Sequence, residues 1–208
     1  MLTFWYAPGT CALATHLALE YAGAPYEAKR LDFRKGEQRS PEYLRINPKG
    51  RVPALVTERG VLTETTALLQ YVAQVFPQAG LAPLDDPFAL AKMNAFNGYL
   101  ASTVHVNHAH KLRGYRWVDE GDEAALAAMM KKVPQTMADS FTLIEEQMFQ
   151  GPWVLGERLS TSDFYLYTLA GWLEGDGVDV QRFPRVADHM RRAEALPAVQ
   201  KVVAQHKA

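Results

Sequence analysis

A short aromatic run, Leu2-Thr3-Phe4-Trp5-Tyr6, breaks at Ala7-Pro8-Gly9-Thr10 and gives way to Cys11 and then to apolar residues at Leu13, Ala14, Leu17, Ala18 and Tyr21. The run has the length, composition and flanking breakers of a buried strand, whereas the later residues recur in three- and four-residue steps, as one buried face of a helix does. A chain that opens strand, turn, helix, with both elements apolar, builds a sheet with helices packed on it. The same stretch puts the chain's one cysteine in the first turn of a helix, beside unpaired backbone N–H groups and at the positive end of the dipole. Both favour thiolate over thiol, which matters because an unshifted thiol of pKa ~8.5 is only a few per cent ionised at neutral pH. The competing reading is an inert, small, buried apolar side chain. Position 14 is Ala, so there is no internal dithiol, and a redox step would need a thiol from another molecule.

Gly23-Ala24-Pro25 stops that helix, and residues 26–31 read as a second strand. Ser40-Pro41-Glu42 then supplies an N-cap, a proline at the first helical position and a first-turn acid for a short helix through Ile46. Residues 54–58 and 61–63 pair as a hairpin across Arg59-Gly60, and Ala67, Leu68, Tyr71, Val72 and Val75 space a helix over 65–76. The order is β-α-β-α-β-β-α. From Pro77 to Pro87 the pattern dissolves into prolines, a glycine and aspartates, the composition of a connection between domains. The expected division is an α/β domain over 1–79, a linker over 80–86 and an all-helical domain over 87–208. In the last of these, Met130, Val133, Met137, Phe141, Ile144 and Met148 form a core stripe, with Pro134 expected to kink or divide the helix. Ser160 and Asp163 spell an N-cap and its acid before a buried helix, and Pro184 and Pro197 open two more.

The charges nearly cancel, 22 Lys+Arg against 23 Asp+Glu, which argues against a nucleic-acid or anionic-membrane surface. No stretch approaches the ~20 apolar residues of a membrane span, and no basic-then-apolar leader opens the chain. A single cysteine permits no intrachain disulfide, consistent with a reducing, cytoplasmic setting.

Two further places can hold a ligand beside Cys11. At Arg51-Val52-Pro53 a proline precedes a strand, leaving the Val52 backbone available to an extended peptide. At Glu64-Thr65 a strand turns into a helix, so amides and a hydroxyl can hold a carboxylate while Glu64 holds an ammonium; an ordinary cap is the plainer reading. Together these features suit a short cysteine-containing peptide. His105, His108 and His110 invite a metal, but on a helix the first two share a face and the third points elsewhere. No nearby acid or cysteine completes a ligand set, so no metal is expected. Arg113, Tyr115, Arg116 and Trp117 can line the mouth of a pocket.

Tyr6-Ala7-Pro8-Gly9-Thr10-Cys11-Ala12-Leu13-Ala14, Asn47-Pro48-Lys49-Gly50-Arg51-Val52-Pro53-Ala54-Leu55, Leu62-Thr63-Glu64-Thr65, Gln70-Tyr71 and the Ser160 to Asp163 cap, in this order and spacing, resemble a bacterial cytosolic glutathione S-transferase of the beta class. The resemblance implies a thioredoxin-like first domain with Pro53 cis, an all-α helical-bundle second domain, glutathione as co-substrate between them, and a homodimer. It implies that Cys11 faces the glutathione sulfur, that Val52 and Pro53 present backbone to the cysteinyl unit, and that Glu64 and Thr65 grip the γ-glutamyl head. It places Lys35 near the glycyl end, and brings Ser102 and His105 over the thiol, with Val106 where a lysine is common in that class. His105 is expected to hydrogen-bond or act as general base, with Tyr6 as the rival thiol activator. The implied activity is attack of glutathione thiolate on a small hydrophobic electrophile, with thiol–disulfide exchange through Cys11 as a second route. A non-catalytic glutathione- or protein-binding member of the same fold is the alternative.

Overall fold

A computed structural model describes residues 1–207. Strand β1 (Leu2–Tyr6) pairs in parallel with β2 (Tyr26–Arg30), the crossover being helix α1 (Ala12–Tyr21). The short helix α2 (Pro41–Ile46) follows, with Ser40 accepting a hydrogen bond from the Tyr43 amide as its cap. The hairpin β3 (Ala54–Thr57) and β4 (Gly60–Thr63) then runs antiparallel to β1, giving the sheet order β2-β1-β3-β4, and α3 (Thr65–Val75) closes this part. The thioredoxin-like βαβαββα order read from the sequence is thus the observed one.

The rest of the described chain is helical: α4 (Pro87–Tyr99), α5 (His105–Arg113), α6 (Glu123–Leu143), α7 (Thr161–Ala170), α8 (Pro184–Glu194) and α9 (Pro197–Lys207). A π-turn, Leu100–Val104, joins α4 to α5 without a loop. Pro134 does not divide α6, which runs unbroken past it. The proline is exposed, so the carbonyl that it leaves without a donor can turn to water. The buried residues of α6 include Val133, Met137 and Phe141, as the stripe predicts, while Met130 stays half exposed.

Two helices are buried differently from their sequence pattern. In α1 burial covers Ala12 and every residue from Ala14 to Leu19, while Tyr21 is exposed, because the helix has the sheet and α3 on one side and α7 and α9 on the other. In α3 the buried positions are Thr65, Leu68, Leu69, Val72 and Ala73, one step round from the expected stripe, leaving Val75 outside. One apolar core runs through both parts of the chain.

The capping box of α7 joins the two. Asp163 is fully buried and accepts from the Ser160 amide at 2.7 Å and from the Val154 amide at 2.8 Å, with His189 Nε2 of α8 at 3.0 Å. Beside it the Thr161 amide donates to the Leu81 carbonyl at 2.9 Å, and Leu81 itself is buried. The connection between the domains is therefore pinned to the helix that packs on α1.

Where α9 covers α1, His16 Nδ1 and His206 Nε2 lie 3.0 Å apart, with the Tyr6 ring against both. Burial lowers both pKa values below 6.5. For His16 the neighbouring His206 adds to this, Glu20 opposes it and Lys201 reinforces it; for His206 the Arg30 guanidinium adds to it. As pH falls through 6.5 the unfolded chain takes up protons here that the folded chain refuses. Stability is therefore complete above that pH and drains below it, by up to about 1.4 kcal/mol per pH unit for each ring. Denaturant midpoints should be lower at about pH 5 than at about pH 7.5, and His16→Phe should flatten the difference; equal midpoints for the unmodified protein would refute this account.

Candidate active site

The turn before α1 is built by Thr10, whose hydroxyl donates to the Ala7 carbonyl at 2.7 Å and accepts from the Ala12 amide at 3.3 Å. This leaves Cys11 as the residue that caps the helix, with its own carbonyl accepting from the Ala14 amide. Its sulfur is 3.8 Å from the Val52 carbonyl oxygen, to which the thiol donates. Only 8% of Cys11 is exposed, and burial pushes the thiol up to about 11 against the pull of the Thr65 hydroxyl and its own amide. Between the two readings of this cysteine the balance falls to the proton: in the protein alone Cys11 is a neutral thiol, because desolvation outweighs the helix end.

Val52 is held in place from behind. The Arg51 carbonyl accepts from the Tyr43 hydroxyl at 2.7 Å and from Asn47 Nδ2 at 2.6 Å, and Asn47 is itself buried. Gly50 turns this loop at φ +60°, and a side chain there would meet the Gln38 carbonyl at 3.0 Å. The Val52-Pro53 peptide is cis, as the resemblance implies. Glu64 has φ +75°, the one non-glycine residue with positive φ among the described residues, a conformation that stores strain. It sits immediately before the first residue of α3, Thr65, which is buried. The Glu64 carboxylate pairs with Lys49, whose ammonium also donates to Thr63 Oγ1 at 2.7 Å.

These residues form one wall of a cleft whose other wall comes from the helical domain. A first lobe of about 430 Å³ is lined by Cys11, Arg51, Val52, Pro53, Glu64 and Thr65 on one side and by Ala101, His105, Val106, Ala109, Arg116, Trp117 and Tyr165 on the other. A second lobe of about 240 Å³ shares Cys11, Arg51, Val52, His105, Ala109 and Arg116 and adds Arg39, His108, Arg113, Tyr115 and Trp172. The π-turn and α5 supply much of the helical wall, and π-turns inside helices occur often at functional sites. His105 is pushed down to about 4 by burial first, then by His108, Arg116 and Arg51, so its ring is neutral at neutral pH.

Three expected residues stand elsewhere. Tyr6 follows Phe4 by two along β1 and so shares its face, where its ring packs on His16 and His206; it lines neither lobe and is no rival activator. Lys35 is exposed on the 3-10 turn Phe33–Lys35, and Phe33 is the residue of that turn that reaches the second lobe. Ser102 is exposed, because Ala101, His105 and Ala109 take the i, i+4 positions that face the cleft. The sequence reading missed Tyr165, Trp172 and Asp176, all from or just beyond the buried α7, where nothing in an apolar run marks which residue meets a cavity. Tyr165 lines the first lobe, its phenol held neutral by burial. Among the described residues no cluster of three or more His, Cys, Asp or Glu is placed to hold a metal ion, and no helix is long and apolar enough to cross a membrane.

Residues 1–74 match the family model for the glutathione S-transferase N-terminal domain, and residues 117–192 match that for the glutathione S-transferase C-terminal domain. The chain is 27% identical to the glutathione S-transferase GstA of Escherichia coli O157:H7, over 96% of each chain. It is 29% identical to a maleylacetoacetate isomerase of Pseudomonas aeruginosa, over 95% of this chain and 93% of the other. A crystal structure of a glutathione transferase homologue from Sulfitobacter, with bound glutathione, superposes with a TM-score of 0.94 at 46% identity, covering 99% of this chain and 98% of that one.

The protonation of Cys11 gives a direct test. Alkylation of Cys11 by iodoacetamide should be slower at neutral pH than that of free cysteine and should keep rising towards about pH 11, whereas a rate already flat by neutral pH would mean that the helix end wins after all.

Proposed function

Because the chain belongs to the glutathione S-transferase family, we propose that it binds glutathione in this cleft, holds its sulfur as thiolate beside Cys11, and directs it at an electrophile carried by the helical wall. The observation that carries the reading is that Cys11, the Val52 backbone, the Glu64-Thr65 helix start and His105 line one lobe although they come from four separate parts of the chain. Thr65 and the first amides of α3 receive the γ-glutamyl carboxylate, and Glu64 receives the ammonium. Val52, at the cis Pro53, offers its backbone to the cysteinyl unit. The glycyl carboxylate goes to Arg39 or Arg51, which line the second lobe, rather than to Lys35.

Sulfur activation follows from the neutrality of its neighbours. A protonated Cys11 can turn its S–H from the Val52 carbonyl to a thiolate, and a neutral His105 can donate one ring N–H to it, without bringing a competing negative charge. Arg51 and Arg116 add positive potential in the same space. Lowering the glutathione thiol's pKa in this way is the central catalytic step, and it is one of preorganised electrostatics. His105 is too weak a base to take the thiol proton itself, and its part is hydrogen bonding. The electrophile is small and rests against Val106, Ala109 and Trp117. Thiol–disulfide exchange through a Cys11–glutathione mixed disulfide is a second reading, favoured by the position of Cys11 in the first lobe and slowed by its raised pKa. A binding protein without turnover is the alternative that the assay below excludes or establishes. We also assign a homodimer to this chain, supported by apolar side chains left in solvent, such as Phe88 at the start of α4, which is 71% exposed.

The protein should be retained on immobilised glutathione and should conjugate an activated aryl chloride. Cys11→Ala should lower conjugation about tenfold, less than the usual loss for an oxyanion donor because S–H is a weak one, and should abolish disulfide exchange. Failure to bind glutathione at millimolar concentration would end the proposal, and loss of both activities together would end the division of labour. Light scattering should return twice the chain mass for the unmodified protein and a smaller species for Phe88→Asp; a monomeric unmodified protein contradicts the dimer.

A further inference from the structure

The scheme above makes no use of Asp176, although its carboxylate is completely buried. It lies in the turn after α7, with its amide donating to the Trp172 and Leu173 carbonyls at 3.0 Å each. One oxygen, Oδ2, accepts from His108 Nδ1 at 2.7 Å. The other, Oδ1, lies 3.8 Å from Lys111 Nζ and has no hydrogen-bond partner. A buried carboxylate is costly, and a well-packed apolar side chain would serve folding as well or better, so stability alone gives no reason for one here.

The pair fixes the ring chemically. With Nδ1–H donated to Asp176, His108 is held in the tautomer that leaves Nε2 bare. The ring is also clamped flat against Trp172, with centroids 4.1 Å apart and planes 23° apart, while the edge of His105 meets the same indole at 5.2 Å. His108 keeps a quarter of its side chain exposed and lines the second lobe together with Cys11. Arg39, Arg51, Arg113 and Arg116 line the same lobe, and none of the four forms an ion pair among the described residues. One suffices for the glycyl carboxylate of glutathione, so the lobe keeps surplus positive charge for a second anion.

The geometry points to His108, oriented by Asp176, as the proton carrier of the cleft, and to an electrophile that bears a carboxylate; addition to an α,β-unsaturated carbonyl compound is the reaction that would use the carrier in both directions. This inference rests on the glutathione reading. In the first half of the reaction His108 Nε2 takes the thiol proton of glutathione. The thiolate then forms a C–S bond to the β-carbon of the acceptor, and the electron pair of the C=C bond moves into an enolate. In the second half the imidazolium returns the proton to the α-carbon, leaving a thioether and a neutral His108. Nothing is oxidised or reduced, and no further reactant is needed. Displacement of an aryl halide requires only the first half, since halide leaves and the proton goes to solvent. His108 is catalytic in this scheme, and Asp176 is a positioning residue.

The test compares two reactions in the whole protein with glutathione: addition to acetylacrylic acid, alongside its methyl ester, and displacement on an activated aryl chloride. The unmodified protein should prefer the acid to the ester in kcat/KM by roughly tenfold. His108→Gln, which alters a side chain that is a quarter exposed, should lower kcat for addition more than for displacement, shifting their ratio by about tenfold or more, with KM for the acid little changed. Asp176→Asn should shift the ratio the same way, and free imidazole should restore addition to His108→Ala. A ratio unchanged by His108→Gln, with displacement intact in the unmodified protein, overturns the proton carrier and leaves the transferase reading standing. Equal use of acid and ester overturns the substrate class. No glutathione-dependent turnover of either substrate by the unmodified protein overturns the function and this inference together.

Discussion

The Asp163 carboxylate, fully buried at the start of α7, is the constraint on which the cleft depends. It caps its own helix, takes the Val154 amide and meets His189 of α8, while the neighbouring Thr161 amide ties the connection at Leu81. Removing one partner from such a buried arrangement leaves an uncompensated charge or an unsatisfied donor in a dry interior, so the box holds all of its members or none. Since α7 packs on α1, and Cys11 is the residue just before α1, the same set of bonds decides how far the helical wall stands from the sulfur.

Burial of this kind also decides the charge state of the site. A helix start by itself favours an anion, but the α1 start is closed over by α7 and by the Val52 loop, and an anion without water around it costs more than the helix end returns. Cys11 and His105 are both neutral for that reason, one by gaining affinity for its proton and the other by losing it. Apart from the Glu64 carboxylate, which pairs with Lys49, the charge in the cleft comes from guanidiniums. A site of neutral donors framed by fixed cations is suited to receiving an anion from solution rather than making one from its own side chains.

Much of this was legible in advance wherever a local rule applied. The Ser40 cap, the proline-opened helices, the hairpin across Arg59-Gly60 and the Ser160/Asp163 box depend on residues a few positions apart, and each stands where the pattern puts it. Cys11, Val52 and Thr65 were legible as candidates because each sits at a junction between elements, whereas His105 was legible only through the family resemblance. The errors share a cause. The extra burial of α1, the shift of the α3 stripe and the turning of Tyr6 away from the cleft all come from surfaces contributed by distant segments, chiefly α7 and α9.

By itself the sequence determined the elements, their order, the helix starts and the presence of one thiol, since propensity, capping and periodicity act over a turn or two of chain. Only the tertiary structure decided that the thiol is protonated, that Tyr165 rather than Tyr6 lines the first lobe, and that Asp176 reaches His108 from 68 residues away. Those outcomes depend on desolvation and on contacts across the domain boundary, quantities that exist only once separate stretches of the chain exclude water from one another.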